Sequence, residues 1–302
     1  MQKNTLADIS LLFVAFIWGS TFVIVQNAIQ FLPPHLFNGI RFLIAACVLT
    51  LFINKRGTKK WSKDLLKSGI FLGFFLFLGY AFQTIGLMYT TSSKTGFITG
   101  LSVMIVPLLS IWILKEKPRT IVFFSALIGT IGLSLLTLGD MGGINIGDLL
   151  VLFCAIAFAL HIVLTGKFSN QYEALNLTIV QLITVSLLSF VSSILFERPS
   201  LSFTDFINKE VITALFITSI FATAIAFLIQ TKFQQFTTAA RVALIFAMEP
   251  VFAALTAFIV LNERLSGAAL IGCMLIFVAM ILTEMPSFNE FKRANTAQKR
   301  DL

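Results

Sequence analysis

Glu249 is a carboxylate set in an otherwise apolar run, TTAARVALIFAMEPVFAAL, that starts at Thr237. If that run is a helix entering hydrocarbon near Thr238, a rise of about 1.5 Å per residue carries Glu249 about 16 Å deep. A charge at that depth must face a cavity or a partner, or hold a proton. Two chemistries fit: a proton-coupling or cation-binding group beside a kink at Pro250, or a structural acid paired with Arg41 or a helix end. Arg41 lies two turns beyond Pro34. It is placed either to snorkel and brace its helix or to face an anionic substrate group. His161, well inside another apolar run, either titrates near neutral pH or hydrogen-bonds a neighbouring carbonyl. His35 is loop-adjacent and carries no expected role.

Gln83 and Gln230 also fall inside apolar runs. They offer neutral donors and acceptors to a zwitterionic ligand, or bond one helix to the next. Trp18, Tyr80, Asn38 and Gln181 present aromatic faces and amides suited to an organic substrate and equally to packing. Gly69 and Gly73, and Gly96 and Gly100, have the small-xxx-small spacing that lets helices approach closely. Cys47, Cys154 and Cys273 show neither disulfide nor zinc spacing, so no metal and no cofactor is expected. There is no GxxxxGK[ST] phosphate loop and no HExxH. Glu249 is the only acid well inside a run, so the converging acids of a membrane-embedded enzyme are missing and no catalytic residue is expected.

The elements that would hold these residues follow from composition. Of the 302 residues, 57% are hydrophobic and 12% charged, which excludes an ordinary soluble domain. The formal charge of +8 sits in short gaps between apolar runs rather than in a patch, so it reports topology and not nucleic-acid binding. A span needs roughly 20 apolar residues. Walking the chain with that length predicts ten helices, beginning near Leu6, Leu36, Leu65, Ser92, Ile121, Gly147, Leu175, Val211, Thr237 and Ser266. With the N-terminus inside, Lys55, Arg56, Lys59, Lys60, Lys63, Lys67, Lys115, Lys117, Arg119, Lys167 and the basic tail all fall on the inner side. The outer loops then hold Lys94, Arg198, Lys209 and Arg264. Short loops rich in Lys and Arg stay cytoplasmic, so both termini are expected there, in a cell membrane.

The chain also aligns with itself. Gln83 and Thr84 match Gln230 and Thr231, Thr90 and Thr91 match Thr237 and Thr238, and Lys94 matches Arg241. Asp8, Phe13 and Ala15 stand opposite Asp148, Phe153 and Ala155. Five spans per half is an odd number, so the second half enters from the other side and the halves are inverted. The expected organisation is an all-α integral membrane protein with one five-helix repeat over 1–140, an inverted repeat over 141–285 and a basic tail over 286–302. Inversion places Lys94 at the outer surface and Arg241 at the inner, as paired gate or entrance charges or as ordinary helix-end anchors. Two antiparallel halves around a central cavity can exchange which side is open.

The segments FIWGSTFV from Phe16, the Pro34 to Arg41 stretch that runs into GIRF at Phe42, TTSSKTGFITGLSVMIVPLLS from Thr90 and TTAARVALIFAMEPVFAALTAFIVLNERLS from Thr237 resemble the EamA-type family of the drug/metabolite transporter superfamily. The resemblance covers nearly the whole chain. It implies a ten-helix carrier of amino acids, related metabolites or drugs, with substrate held centrally by both halves and Trp18 in the cavity. Protons are the candidate coupling ion, and small-molecule substrate and lipid are the expected partners. A nucleotide-sugar or sugar-phosphate carrier shares this fold, but no midplane cluster of Lys and Arg stands ready for phosphate charges. A non-transporting membrane scaffold would leave the repeat without a purpose. One departure is visible: Ser102 and Val103 stand where the second half has Glu249 and Pro250, and Pro107 comes four residues later. A role for Glu249 therefore belongs to one half only.

Overall fold

The computed structural model describes residues 2–53, 61–116, 118–137, 145–198, 206, 208–261 and 266–284. The expected repeat boundary at 140/141, the basic stretch 54–60, Lys117, Arg264 and the tail 286–302 lie outside the described residues.

Apolar runs become helices because hydrocarbon offers no partner for backbone N–H and C=O groups, and a helix satisfies them within one segment. Helix α1 spans Gln2–Ala28, α2 Pro34–Thr50, α3 Lys63–Gly86, α4 Ser92–Gly100, α5 Ser102–Ile113 and α6 Thr120–Thr137. Then follow α7 at Ile146–Phe168, α8 at Ala174–Ser192, α9 at Lys209–Ser219, α10 at Ala226–Phe233, α11 at Ala239–Phe246, α12 at Glu249–Leu261 and α13 at Gly267–Glu284. A π-helical stretch, Ile220–Ile225, joins α9 to α10, and another, Ser193–Glu197, extends α8. The starts are written in the sequence. Pro34 opens α2, the Ser62 hydroxyl caps α3, and Thr91 and Thr238 cap α4 and α11 through the amides of Lys94 and Arg241. Asn145 and Asp148 form a reciprocal capping box on α7. Among the described residues, seven helical segments are long and apolar enough to cross a membrane, and Pro34–Thr50, Thr120–Leu135 and Gly267–Leu282 are shorter apolar helices.

The helix expected to run unbroken past Glu249 is broken. It stops at Phe246 and resumes at Glu249. Pro250 explains the stop: it has no N–H, and its ring would strike the carbonyl four residues earlier, that of Phe246. The first half breaks at the matched place, between Gly100 and Ser102. Both breaks are tightened by the same i→i+3 bond, Leu101 N to Ile98 O at 3.1 Å and Met248 N to Ile245 O at 3.1 Å. Broken backbone at membrane depth is tolerated only where protein or a cavity covers it, so the two interruptions point at a central site.

Packing crosses the two halves of the chain: α3 lies against α7 and α8, α2 against α8, α6 against α13, and α1 against α11 and α12. The pattern is inverted relative to a soluble protein. Phe74, Leu108, Trp112, Phe216 and Met274 are exposed on the outside, while Arg41, Asn38, His161, Gln181 and Gln234 are buried. So large an apolar exterior fits lipid and not water. The three cysteines are free thiols. Gly73 is what lets α3 touch α8, because a Cβ there would come within 2.5 Å of Thr184 Cβ and 2.7 Å of the Gln181 carbonyl. Gly73→Val is therefore expected to cost about 1–3 kcal/mol by overpacking. Thermal unfolding in detergent should show a fall of several degrees, with no change for Gly267→Ala, where nothing lies within 4 Å.

Candidate functional site

The broken helices and α1, α2, α3, α7 and α10 line a central cavity. Of the residues singled out from the sequence, Trp18, Arg41, Tyr80, Gln83, His161, Gln230 and Glu249 line it. Its apolar wall is aromatic. The Trp18 ring lies 5.4 Å from Phe227 and 4.9 Å from Phe246, and Tyr80 packs edge-on against Phe42 at 4.9 Å and Phe158 at 5.3 Å. Thr21, Thr84, Thr99 and Ser102 add hydroxyl groups.

Arg41 is only 3% exposed and is held by the widened turn Ile220–Ile225. Its Nε donates to Thr223 Oγ1 at 2.6 Å, and Nη2 to the Ala222 carbonyl and the Tyr80 hydroxyl, both at 3.4 Å. The guanidinium also lies over the Tyr80 ring, 4.9 Å from its centroid. A π-helical turn leaves carbonyls off the usual i→i−4 ladder, and Ala222 O accepts from Trp18 Nε1 as well, at 2.8 Å. The π-turn thus anchors the indole and the guanidinium on one carbonyl. Arg41 therefore sits inside the protein wall rather than snorkelling to the interface.

Glu249 is the first residue of α12, where the aligned peptide dipoles favour negative charge. Its side chain reaches the cavity, and among the described residues no hydrogen bond or ion pair engages its carboxylate. The alternative pairing with Arg41 is not made. The Arg41 guanidinium and the Glu249 carboxyl group line the same space from opposite halves of the chain without bonding each other.

Asn38 and Gln181, expected in the cavity wall, sit one layer behind it. Asn38 Nδ2 donates to Thr84 Oγ1 at 2.9 Å and the Tyr80 carbonyl at 3.4 Å, tying α2 to α3. Gln181 bridges His161 Nε2 at 2.9 Å and Thr231 Oγ1 at 3.2 Å, so it orients the imidazole. His161 thus bonds a side-chain amide, with Thr165 Oγ1 at 3.5 Å. The matched glutamines behave differently. Gln83 donates to Thr99 Oγ1 at 3.2 Å, whereas Gln230 donates to Gln234 at 3.5 Å and leaves its own buried Oε1 without a partner. His35 contributes its backbone: its amide and that of Leu36 donate to the Glu197 carboxylate at 2.6 and 3.1 Å, capping α2 from the end of α8.

Lys94 and Arg241 do not reach the cavity. Lys94 Nζ lies 3.3 Å from Asp148 Oδ2, and Arg241 Nη2 lies 2.5 Å from Asp8 Oδ2. Arg241 also borders a polar recess with Asn4, Glu116, Arg119 and Thr237, where burial raises the Glu116 carboxyl above the usual carboxylate range. Among the described residues no His, Cys, Asp and Glu cluster could hold a metal.

Thr223, Phe158, Phe227 and Phe246 escaped the sequence reading. Phenylalanine occurs 33 times, so no single Phe stands out, and nothing in ITSIFATAI announces a π-turn. The one available signal for Thr223 was a hydroxyl in an apolar run, which Thr218 shares.

A model of the EamA-like transporter family matches residues 5–138 and again 145–285. An uncharacterized transporter of Archaeoglobus fulgidus is 35% identical over 94% of this chain and 87% of its own length. The uncharacterized transporters YoaV and YvbV of Bacillus subtilis are each 27% identical, over 91% and 94% of this chain and 94% and 93% of their own lengths. A protein chain solved by crystallography superposes with a TM-score of 0.75 at 22% identity, covering 92% of this chain and 96% of that one, which shows a shared fold.

Proposed function

This chain belongs to the EamA-like transporter family and is a multi-pass membrane transporter, and on that premise we propose that it is a secondary carrier of amino acids or related small metabolites. The carrier works by alternating access around the central cavity, in the direction of export, with protons as coupling ion. It has ten spans in two inverted five-helix repeats, over 1–140 and 141–285, with both termini and the 286–302 tail in the cytoplasm of a cell whose plasma or inner membrane holds it. The double family match and the paired helix breaks at Leu101 and Met248 support the duplicated architecture.

One observation carries the substrate class. Arg41 and Glu249 line the same cavity, unpaired with each other, between aromatic walls. A zwitterion completes that arrangement: its carboxylate meets the guanidinium, its ammonium meets Glu249, and its apolar part meets Trp18, Phe158 and Phe227. Among the described lining residues phosphate-bearing substrates find one buried cation, Arg41, against two or more charges to neutralise. A carboxylate with no fixed counter-ion also suits a group that exchanges a substrate ammonium for a proton.

Uptake of a labelled amino-acid panel into proteoliposomes, with and without an imposed pH gradient, tests the proposal. Flux of at least one amino acid above that in empty liposomes, raised by the gradient, is expected. Flux confined to cationic drugs or nucleotide sugars would replace the substrate class.

A further inference from the structure

Among the described residues two ion pairs lie outside the cavity, at opposite ends of α1. Asp8 is near its start and Gln26 near its end, about 27 Å apart along the axis. Gln26 accepts a hydrogen bond from Ser92, two residues from Lys94. The Lys94 to Asp148 pair therefore marks one end of the molecule and the Arg241 to Asp8 pair the other.

Each pair crosses the halves of the chain, and the crossing is reciprocal. Lys94 lies in the first family-matched segment and Asp148 in the second, while Arg241 lies in the second and Asp8 in the first. The self-alignment sets Lys94 opposite Arg241 and Asp8 opposite Asp148. The same contact is thus built twice, with the partners exchanged, once at each end. In both, the cation stands in the first turn of a helix capped by threonine, Thr91 or Thr238. Both pairs are withdrawn from the surface, with side-chain exposures of 9% and 10% at Lys94 and Asp148 and of 23% and 15% at Arg241 and Asp8. Asp148 is held in place by Thr90, 2.6 Å from its Oδ1. A helix-end anchor in the headgroup region needs neither shelter nor an acid from the other half.

The two ends differ in what separates them from the cavity. Cavity lining includes Val25 and Leu87, and Gly96, which is two residues along α4 from Lys94. On the other side, Leu11 and Val14 of a packed apolar cluster that also holds Val106 and Val242 lie along α1 between Asp8 and the lining residue Trp18.

We propose that these crossed pairs are latches that hold the two faces of the carrier shut in turn, Lys94 with Asp148 at one face and Arg241 with Asp8 at the other. This rests on the carrier reading above. A face that must open and reclose needs a contact that releases without unfolding. Ions parted by opening are taken up by water, which offsets the lost attraction, so the two states stay close in free energy. Neutralising one partner removes the attraction across that face and favours its open form.

Cysteine accessibility tests this without any substrate. With Cys47, Cys154 and Cys273 replaced, Val25→Cys reports on the Lys94 side of the cavity and Phe246→Cys on the Asp8 side. A membrane-impermeant thiol reagent is applied to right-side-out and to inverted vesicles. Asp148→Asn should speed labelling of Val25→Cys from the Lys94 face about fivefold, and Asp8→Asn should do so for Phe246→Cys from the Asp8 face, each slowing labelling from the opposite face or leaving it unchanged. Exchanging the charges of the other pair, Asp8→Arg with Arg241→Asp, should return labelling of Phe246→Cys to within about twofold of the parent. Lys94→Gln and Arg241→Gln make the same test should the aspartate variants fold poorly. Labelling unchanged at both faces, or raised equally at both, overturns the proposal. Shifted labelling in a protein that carries no solute would overturn the carrier reading and leave the latches standing, and flux with unmoved labelling would do the reverse.

Discussion

Glu249→Gln is expected to abolish pH-gradient-driven accumulation of substrate while leaving the folded protein intact. The substitution keeps the side chain's size and removes its charge and its capacity to bind a proton. Because no described residue pairs with the carboxylate, the change strands no buried cation, and the melting temperature should move little. What is lost is the charge-assisted bond to a substrate ammonium, worth about 1.5–3 kcal/mol, or roughly 10- to 100-fold in affinity. Uptake measured with and without an imposed gradient, alongside thermal unfolding, checks both halves of this expectation. Accumulation equal to that of the parent would make Glu249 a structural acid and the protein a carrier coupled elsewhere.

Arg41→Lys is expected to weaken substrate binding about tenfold or more and also to destabilise the protein, unlike the change at Glu249. Lysine keeps the charge. It cannot reproduce the fork that reaches Thr223, Ala222 and Tyr80 together, nor the planar stacking over the Tyr80 ring. The bonds lost are worth about 1–3 kcal/mol in stability. Thr223→Val separates the two roles, since it removes the acceptor at 2.6 Å and leaves the guanidinium present. If Arg41 meets a substrate carboxylate, Thr223→Val raises the concentration for half-maximal flux more than it lowers the maximal rate, because the guanidinium is misplaced rather than missing. A loss of stability with unaltered substrate affinity in both variants would reduce Arg41 to a brace between α2 and the π-turn.

The helices were legible in the sequence because lipid leaves apolar runs one solution. The starts expected near Leu65, Ser92 and Thr237 each fall within two residues of a helix start at Lys63, Ser92 and Ala239. Breaks were harder to read. Pro250 was visible as a kink, but a helix that stops at Phe246 and restarts at Glu249 depends on a cavity being there to shelter freed backbone groups, and periodicity carries no record of a cavity. The polar residues were legible as a set and not by layer. Trp18, Tyr80, Gln83, His161 and Gln230 reach the space, while Asn38 and Gln181 stand behind it. A polar side chain in an apolar run must find partners, but which face of the helix it occupies is decided by its neighbours in space. The acids at Asp8 and Asp148 appeared in the self-alignment only as matched letters. Their pairing with Arg241 and Lys94 required the fold, since the partners are 233 and 54 residues apart in sequence.

The most direct test of the central claim, that the cavity holds a zwitterion between Arg41 and Glu249, is counterflow in proteoliposomes loaded with unlabelled amino acid. Exchange of the labelled amino acid should be blocked by excess unlabelled zwitterion. It should be blocked about tenfold less well by each of two matched analogues, one lacking the amine and one lacking the carboxylate. Equal inhibition by an analogue that lacks either charge would contradict the two-pole site, as would the absence of counterflow for every zwitterion tried.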